Sequence, residues 1–293
     1  MRSCVSRVML AGTRARALLV AGVVAAVAFA GGLTMGWAAG GSSPRPEPAR
    51  RAPRAPRQLR VSVYGDSLSV QAGPYLAGVG RAFGLRVTVR AFSGTAPCDF
   101  LDPLRKDLAA GPGPPDLVLF AFSGNSVGTC MLDASGRPLT GVALLAKYRA
   151  DTVAAADLTT AAHRPFLVAS PPAPRGKEGI WKALDDVYRD VATTHPGVQY
   201  VDAGQDIAPG GEFAPTQQCL PFESKIPGAQ RTCRTVDSDI PVRGPDGGHF
   251  CGDAAPTAAV LCPSYSSGAM RYAVNLLSAA KLTLDVPAAR AGL

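Results

Sequence analysis

The chain has 293 residues and a formal net charge of +8 at pH 7. Residues 1–60 contain ten arginines and one glutamate, a net charge of +9, so residues 61–293 carry a net charge of −1. A nucleic-acid-binding protein needs its positive charge as a patch on the folded domain. The charge distribution therefore gives no indication of a nucleic-acid partner, and the length suits one folded domain behind an N-terminal extension.

The N-terminal extension predicts export. Residues 17–39 form an uncharged run of 23 residues, long enough at about 1.5 Å per residue to cross a hydrocarbon core of about 30 Å. Residues 1–16 contain four arginines and are predicted to be a basic cytoplasmic segment. Ala28-Phe29-Ala30 resembles a signal-peptidase site, so an uncleaved membrane anchor and a cleaved signal peptide both stay open.

Residues 40–58 are rich in Pro and Arg and have too few apolar groups to pack, which predicts an extended linker. The folded domain is predicted to be 59–293. Cys4 precedes the apolar run and therefore cannot be the lipid-acceptor cysteine of a bacterial lipoprotein.

Strand and helix patterns alternate along residues 59–293. The predicted strands are apolar or alternating runs at 59–64, 85–91, 117–121, 165–170 and 198–202. The predicted helices are one with Ala72, Leu76, Val79 and Phe83 on a single face, then 142–162, 180–194 and 266–281, the last with Met270, Val274 and Leu277 inward. Residues 205–245 lack periodicity and are predicted to be a long ordered loop over the active-site rim. The predicted fold class is α/β, a single doubly wound, flavodoxin-like α/β/α sandwich with a parallel five-stranded sheet.

Ser67 lies in Gly65-Asp66-Ser67-Leu68-Ser69, where the first strand ends and a helix begins. A serine there has its hydroxyl at the carboxyl edge of the sheet, where open α/β folds bind ligands. Its N–H points out of a helix N-terminus, which favours developing negative charge. The turn is a good position for a nucleophile, although Asp and Ser at this point can equally be an ordinary N-cap.

His249 is the histidine with an acid beside it, in Asp246-Gly247-Gly248-His249. The other two histidines, His163 and His195, lie at predicted helix ends and are interpreted as solvated loop residues. A serine hydroxyl needs an adjacent base, and the base needs a third group to orient it. Ser67, His249 and Asp246 can supply these three roles.

Two short loops follow the second and third strands and can supply hydrogen-bond donors. Gly94 lies in Phe92-Ser93-Gly94-Thr95, and Asn125 lies in Phe122-Ser123-Gly124-Asn125. In a parallel sheet both loops face the same crevice as Ser67, so a glycine N–H and an asparagine amide can donate to an oxyanion. Each residue taken alone is also compatible with an ordinary turn.

Taken together in this chain order, the blocks resemble the SGNH hydrolase superfamily, also called the GDSL-type esterases and lipases. The resemblance covers roughly residues 59–281 and implies that Ser67 is the nucleophile, His249 the base and Asp246 its orienting acid. It further implies an oxyanion hole made of the Ser67 N–H, the Gly94 N–H and the Asn125 side-chain amide. The third block departs from the family's pattern, because Ser123 and Ser126 replace its usual glycine and aspartate.

Six cysteines lie beyond the apolar run, an even number that predicts disulfides in an exported protein. Fifteen pairings are possible. We favour Cys98–Cys130, because both residues follow loops that should be neighbours, together with Cys219–Cys233 and Cys251–Cys262, which each close a short insert. A metal site is the weaker alternative, because no Cys-x-x-Cys occurs.

The predicted function is an exported serine esterase that acts on a lipid, an acylated glycan or a small ester, with no metal or other cofactor and as a monomer. The alternatives are a non-catalytic envelope module that binds glycan or lipid on the same fold, and a membrane-held scaffold for partner proteins. Trp181 and Tyr188 are interpreted as a buried helix stripe rather than a substrate wall. Arg175 and Lys177 could contact an anionic substrate, but they are interpreted as solvated loop charges.

Overall fold

The computed structural model describes residues 57–110, 113–252 and 261–291. The predicted segments 1–16 and 17–39, and all but the last two residues of 40–58, lie outside this described part. Among the described helices, none combines the length and the apolar composition that a membrane span requires.

A single five-stranded sheet forms the centre of the fold, and all of its strand pairs are parallel. Its spatial order is β2-β1-β3-β4-β5. The strands are β1 (Leu59–Gly65), β2 (Leu85–Ala91), β3 (Leu117–Ala121), β4 (Phe166–Ser170) and β5 (Val198–Asp202). The predicted α/β class and the predicted five parallel strands are confirmed.

Helices cover both faces of the sheet. They are α1 (Ser67–Ala82), α2 (Leu101–Ala109), α3 (Gly141–Ala161), α4 (Glu178–Thr194) and α5 (Ser267–Ala291). Helices α1 and α5 pack on one face, and α2, α3 and α4 pack on the other. The central strand β3 is in contact with both helix layers. Leu117 and Leu119 pack against the first layer, and Val118 and Phe120 pack against the second. All four side chains are buried. Burial on both faces explains its uninterrupted apolar sequence.

The strand order places a crevice beside β1. The chain passes from β1 outward to β2 and later returns to β3 on the other side of β1, which is the topological switch point where such sheets bind ligands. Gly65 ends β1 in very close contact, because a Cβ there would lie 2.7 Å from the Ala121 carbonyl oxygen. Asp66 then caps α1, and its Oδ1 accepts the Leu68 N–H at 3.1 Å. Ser67 is therefore fixed as the first residue of α1, at the mouth of the crevice.

The region 205–245, predicted to be an ordered loop, also contains regular secondary structure that the sequence did not predict. It contains an antiparallel ribbon of β6 (Thr216–Gln218) and β7 (Asp239–Pro241). Glu223 in this region is fully buried, and its Oε2 accepts hydrogen bonds from Arg271 at 2.5 Å and from the Leu220 N–H at 2.8 Å. This ion pair joins the ribbon region to α5.

The buried face of α5 differs by about one residue from the predicted face. Leu277 is buried as expected, but Met270 and Val274 are only half-buried. The buried apolar positions are Ala269, Tyr272, Ala273, Leu276, Leu277 and Ala280. The small and aromatic residues of this stripe allow close packing against α1, and a pattern search for large aliphatic residues misses them.

Candidate active site

Three side chains from distant parts of the chain meet at the carboxyl edge of the sheet. His249 Nε2 lies 2.9 Å from Ser67 Oγ, and His249 Nδ1 lies 2.5 Å from Asp246 Oδ2. Ser67 begins α1, whereas Asp246 and His249 lie in the loop between β7 and α5. The structure thus brings together the three residues selected from the sequence, in the order that nucleophilic catalysis requires.

Asp246 orients the His249 ring through a tight turn. Its Oδ1 accepts the backbone N–H groups of Gly248 and His249 at 2.9 and 3.0 Å, which leaves Oδ2 for the imidazole. Partial burial acts to raise the pKa of Asp246, but the hydrogen bonds from His249 and Gly248 outweigh it and hold the pKa below its usual value. The ionised carboxylate favours a proton on Nδ1 and therefore leaves the Nε2 lone pair free to accept from Ser67.

Neighbouring elements hold this turn from both sides. Gly247 has φ +70°, and a Cβ there would lie 2.5 Å from the Arg175 Cβ, which explains the glycine. Arg175 also donates its backbone N–H to the Gly247 carbonyl at 3.1 Å and its side chain to the Pro245 carbonyl at 3.2 Å. On the other side, the Phe250 N–H donates to Gln71 Oε1 at 2.7 Å. Arg175 is therefore not the purely solvated charge that the sequence suggested.

Arg243 is a buried support for the same turn that the sequence did not reveal. Its guanidinium is 4% exposed and donates to the carbonyl oxygens of Gly248 at 2.7 Å, Pro172 at 2.5 Å and Ala173 at 2.8 Å. Burial lowers the pKa of Arg243 to about 10. These bonds tie the His249 loop to the loop that follows β4.

Asp66 forms a buried hub beneath the crevice. Its Oδ2 accepts the Ser123 N–H and the Ser123 hydroxyl, each at 2.6 Å, and the Asn125 side-chain amide at 3.0 Å. Burial raises the pKa of this carboxyl, although the hydrogen bonds from Ser123 act in the opposite direction. Ser123, one of the two departures from the family pattern, thus anchors the Asn125 loop to the turn that carries Ser67.

Asn125 lies at the crevice with its side-chain amide already engaged. One hydrogen bond goes to Asp66, and a longer one of 3.4 Å goes to the Thr95 carbonyl. The buried Tyr148 hydroxyl donates to the Asn125 carbonyl at 2.9 Å, which fixes the backbone. Asn125 can donate to an oxyanion by exchanging the long bond to Thr95 while it keeps the bond to Asp66.

Gly94 lies beside this loop but does not line the cavity described below. Its φ is +79°, and a Cβ there would lie 2.8 Å from a methyl group of Val127. Thr95 next to it donates its hydroxyl to the Gly65 carbonyl at 3.2 Å. Gly124, by contrast, does line the cavity. The predicted oxyanion role of Gly94 stays a prediction.

A cavity of about 210 Å³ opens between Ser67 and helices α3 and α4. Its polar end contains Ser67, His249 and Asn125. Its wall is mainly apolar and also includes Lys177; the apolar residues are Leu144, Leu145, Pro171, Pro172, Pro174, Ile180, Trp181 and Leu184. An apolar cavity with a few convergent polar groups is the usual form of a small-molecule site.

One prediction about the wall was wrong. Tyr188 is buried as expected and donates to the Phe122 carbonyl at 3.1 Å, but Trp181 lines the cavity, with its indole N–H bonded to the Pro171 carbonyl. Trp181 lies near the N-terminus of α4, at the carboxyl edge of the sheet, so the same helix face that packs on the sheet at Tyr188 faces the cavity at Trp181. Lys177 is exposed, as predicted for a solvated loop charge, and it also lines the cavity.

The three favoured disulfides are present in the structure. They are Cys98–Cys130, Cys219–Cys233 and Cys251–Cys262. The first joins the segments that follow β2 and β3, which carry Gly94 and Asn125. Cys98, Asp99 and Cys130 are close enough together to be considered as metal ligands, but two sulfurs bonded to each other offer no thiolate to a metal.

No protein-family model matches this chain, and no curated protein is a significant match. Solved structures do resemble it. Its structural neighbours are SGNH, or GDSL, esterases and acylhydrolases. A protein described as an acylhydrolase from Bacteroides fragilis is 14% identical, with 79% of this chain and 90% of that chain covered and a TM-score of 0.48.

Two further neighbours are esterases by description. AlinE4, an SGNH-hydrolase family esterase, is 18% identical, with 50% of this chain and 77% of that chain covered and a TM-score of 0.38. A catalytic mutant of an acetylxylan esterase from Geobacillus stearothermophilus is 15% identical, with coverage of 50% and 77% and a TM-score of 0.40. At these values the likeness carries no information on the substrate or on the site residues of this chain.

Proposed function

We propose that this protein is an exported serine esterase of the SGNH type that cleaves carboxylic esters through an acyl-enzyme. The observation that carries the proposal is the continuous line of hydrogen bonds from Ser67 through His249 to Asp246, at 2.9 and 2.5 Å, at the polar end of an apolar cavity. A nucleophile, a base and an orienting acid in contact are the signature of an activated serine.

In the first half of the reaction, Ser67 Oγ attacks the ester carbonyl carbon while its proton passes to His249 Nε2. Asp246 stabilises the resulting imidazolium through its bond to Nδ1. The tetrahedral intermediate then collapses, the bond to the alcohol oxygen breaks, and His249 donates its proton to the departing alcohol. An acyl group remains bound to Ser67.

The negative oxygen of the intermediate requires donors that are already in place. The Ser67 N–H at the N-terminus of α1, the Asn125 amide and the Gly94 N–H fill this role in the proposal. The bond of Asn125 to Asp66 supports it, because a tethered amide loses little freedom when it binds an oxyanion.

In the second half, a second oxygen nucleophile repeats the sequence in reverse. His249 removes the proton of the incoming nucleophile, and the nucleophile attacks the acyl carbon. The bond from the acyl carbon to Ser67 Oγ then breaks, and His249 returns the proton to Ser67 Oγ. With water the product is a carboxylic acid, and with an alcohol it is a new ester, so the proposal covers hydrolysis and acyl transfer. The part of the acyl group or alcohol beyond the carbonyl fits the apolar wall of the cavity.

The location outside the cytoplasm is also part of the proposal. It is supported by the uncharged run at 17–39 behind a basic segment, and by an even set of six cysteines beyond it that pair as three disulfides. The protein would be held at the membrane by 17–39 or released after cleavage of that segment.

The proposal is tested by steady-state hydrolysis of para-nitrophenyl butyrate by the full chain in detergent. Ser67→Ala should lower kcat by roughly four to six orders of magnitude. Ser69→Ala is the matched control, since the Ser69 hydroxyl lies in the same helix but donates to the Ala121 carbonyl at 3.3 Å, away from His249. Equal activity of the wild type and Ser67→Ala, or no ester turnover by the wild type, would reject the proposal.

A further inference from the structure

Lys177 places a positive charge in the wall of the cavity that contains Ser67. It ends the loop after β4 and is the residue that precedes the first turn of α4. Lys177 is exposed, yet it lines the same cavity as Ser67 and His249. The flexible Lys177 side chain can therefore bring its ammonium group to a substrate in this cavity, and the positive end of the α4 dipole lies next to it.

The surroundings of Lys177 leave its charge available. Three other helical lysines, Lys147, Lys182 and Lys281, each pair with an aspartate four residues later. At the equivalent position after Lys177 stands Trp181, which lines the cavity. The neighbouring Glu178 carboxylate accepts the Gly176 N–H at 2.9 Å. Within the described part of the chain, the Lys177 ammonium has no hydrogen bond or ion pair.

The two carboxylates closest to the proposed catalytic residues do not line the cavity. Asp246 is paired with His249, and Asp66 is fully buried beneath Ser67. The buried Arg243 adds a second positive charge behind the wall, and its guanidinium donates to backbone carbonyls. Among the described residues that line the cavity, Lys177 is the one that carries a full positive charge, and none is an aspartate or a glutamate.

Most of the remaining residues that line the cavity are apolar. Leu144 and Leu145 from α3 and Ile180 and Leu184 from α4 contribute most of it, and the volume of about 210 Å³ suits a short chain. A neutral chain would gain only from the apolar wall, whereas a chain that ends in an anion would gain from both.

Resting on the proposed esterase function, we propose that Lys177 is a specificity-determining residue. It selects esters in which a short apolar segment joins the reacting carbonyl to an anionic group, a carboxylate or a phosphate. The anion can belong to the acyl group or to the alcohol, because the cavity does not determine which of the two parts of the ester lies toward Lys177.

Two matched pairs of esters distinguish these sources. In the first pair, mono-para-nitrophenyl adipate is compared with para-nitrophenyl hexanoate, so the charge lies on the acyl group. In the second pair, butyrylglycerol phosphate is compared with monobutyrylglycerol, so the charge lies on the alcohol. This reaction is followed by titration of the released acid. The measured quantity is the ratio of kcat/KM for the charged ester to kcat/KM for the neutral ester, with the full-length protein.

We expect the wild type to favour the charged member of at least one pair by about fivefold, mainly through KM, because one partly exposed ion pair contributes that much. The preference should fall in about 0.5 M salt. Lys177→Gln should reduce this ratio to about one, so that the charged and neutral esters react equally well. Lys177→Arg should retain the preference for the charged ester. Lys182→Gln, on the same helix but paired with Asp186, should leave the ratio unchanged.

Two results overturn this inference while the esterase proposal stands. One is turnover of the neutral esters by the wild type with no preference in either pair. The other is a preference that persists in Lys177→Gln. Absence of turnover of every ester by the wild type would instead reject the esterase function and this inference with it.

Discussion

Replacement of Asp246 by asparagine tests the orientation of the base with almost no change in shape. The asparagine amide has one acceptor where the carboxylate has two. If its oxygen keeps the N–H groups of Gly248 and His249, its NH₂ group faces His249 Nδ1. If it turns the other way, its NH₂ group faces two backbone donors and leaves both unpaired, at about 1–3 kcal/mol each. The first orientation is therefore favoured.

In that orientation Nδ1 must accept a hydrogen bond, so the ring proton moves to Nε2, which faces Ser67. Nε2 can then no longer accept the serine proton, and the base is lost while the turn survives. We expect kcat to fall by about 10⁴, the loss for the equivalent change in a serine protease triad. The free energy of unfolding should change by less than about 1 kcal/mol near neutral pH, because both backbone hydrogen bonds remain.

The assay is kcat for para-nitrophenyl butyrate together with urea unfolding of the same preparation. Asp133→Asn is the matched control, because Asp133 also accepts two backbone N–H groups, from Ser135 at 2.8 Å and Arg137 at 3.0 Å. It has no histidine partner and does not line the cavity. A loss of less than tenfold for Asp246→Asn, or an equal loss for Asp133→Asn, would refute the reasoning.

The same variant makes a prediction about pH. The pKa of Asp246 in the folded protein lies below its usual value, so its ionised form adds stability above the unfolded pKa of about 3.9 and loses it as the pH falls through the folded value. Asparagine cannot titrate. The small stability advantage of the wild type should therefore shrink below about pH 4, and an advantage that grows in acid would contradict the assignment.

Three further changes probe the oxyanion hole, the ribbon region and the disulfides. Asn125→Ala should lower kcat by about 100- to 1000-fold with little change in KM, and a loss of less than fivefold in steady-state kinetics would mean that other donors form the hole. Glu223→Ala should destabilise the fold by about 3–5 kcal/mol in urea unfolding, because it leaves Arg271 buried and unpaired; a loss below about 1 kcal/mol contradicts this role. Reduction should abolish activity before the sheet unfolds, measured by circular dichroism. Thiol titration of unfolded, unreduced protein should find at most one reactive thiol, that of Cys4. Seven reactive thiols in active protein would reject the pairing.

The features that the sequence predicted well are those that depend on local pattern. An apolar run such as 117–121 between breakers can only be a buried strand in this context, and the structure has β3 at those residues. Ser67, Asp246 and His249 could be selected because each role requires a particular residue type at a particular place in the chain. Their contact in the structure arises because the loop between β7 and α5 lies against the start of α1.

The features that could not be predicted depend on which segments become neighbours. Nothing local marks Arg243 as a buried support, because its partners are carbonyl oxygens about 70 residues away in the loop after β4. The role of Ser123 likewise depends on Asp66 lying across the β1–β3 pair. Trp181 was assigned to the core because its spacing from Tyr188 is helical, and spacing does not show where a helix extends past the edge of the sheet.

The central claim is that Ser67 is the nucleophile, and the most direct measurement is the site of covalent labelling by a fluorophosphonate. The reagent is attacked by an activated serine and stays bound to its oxygen. Peptide mass spectrometry of the labelled full chain should find one adduct, on Ser67, and none in Ser67→Ala, while Ser69→Ala labels normally. An adduct on another residue, or labelling that persists in Ser67→Ala, would contradict the account.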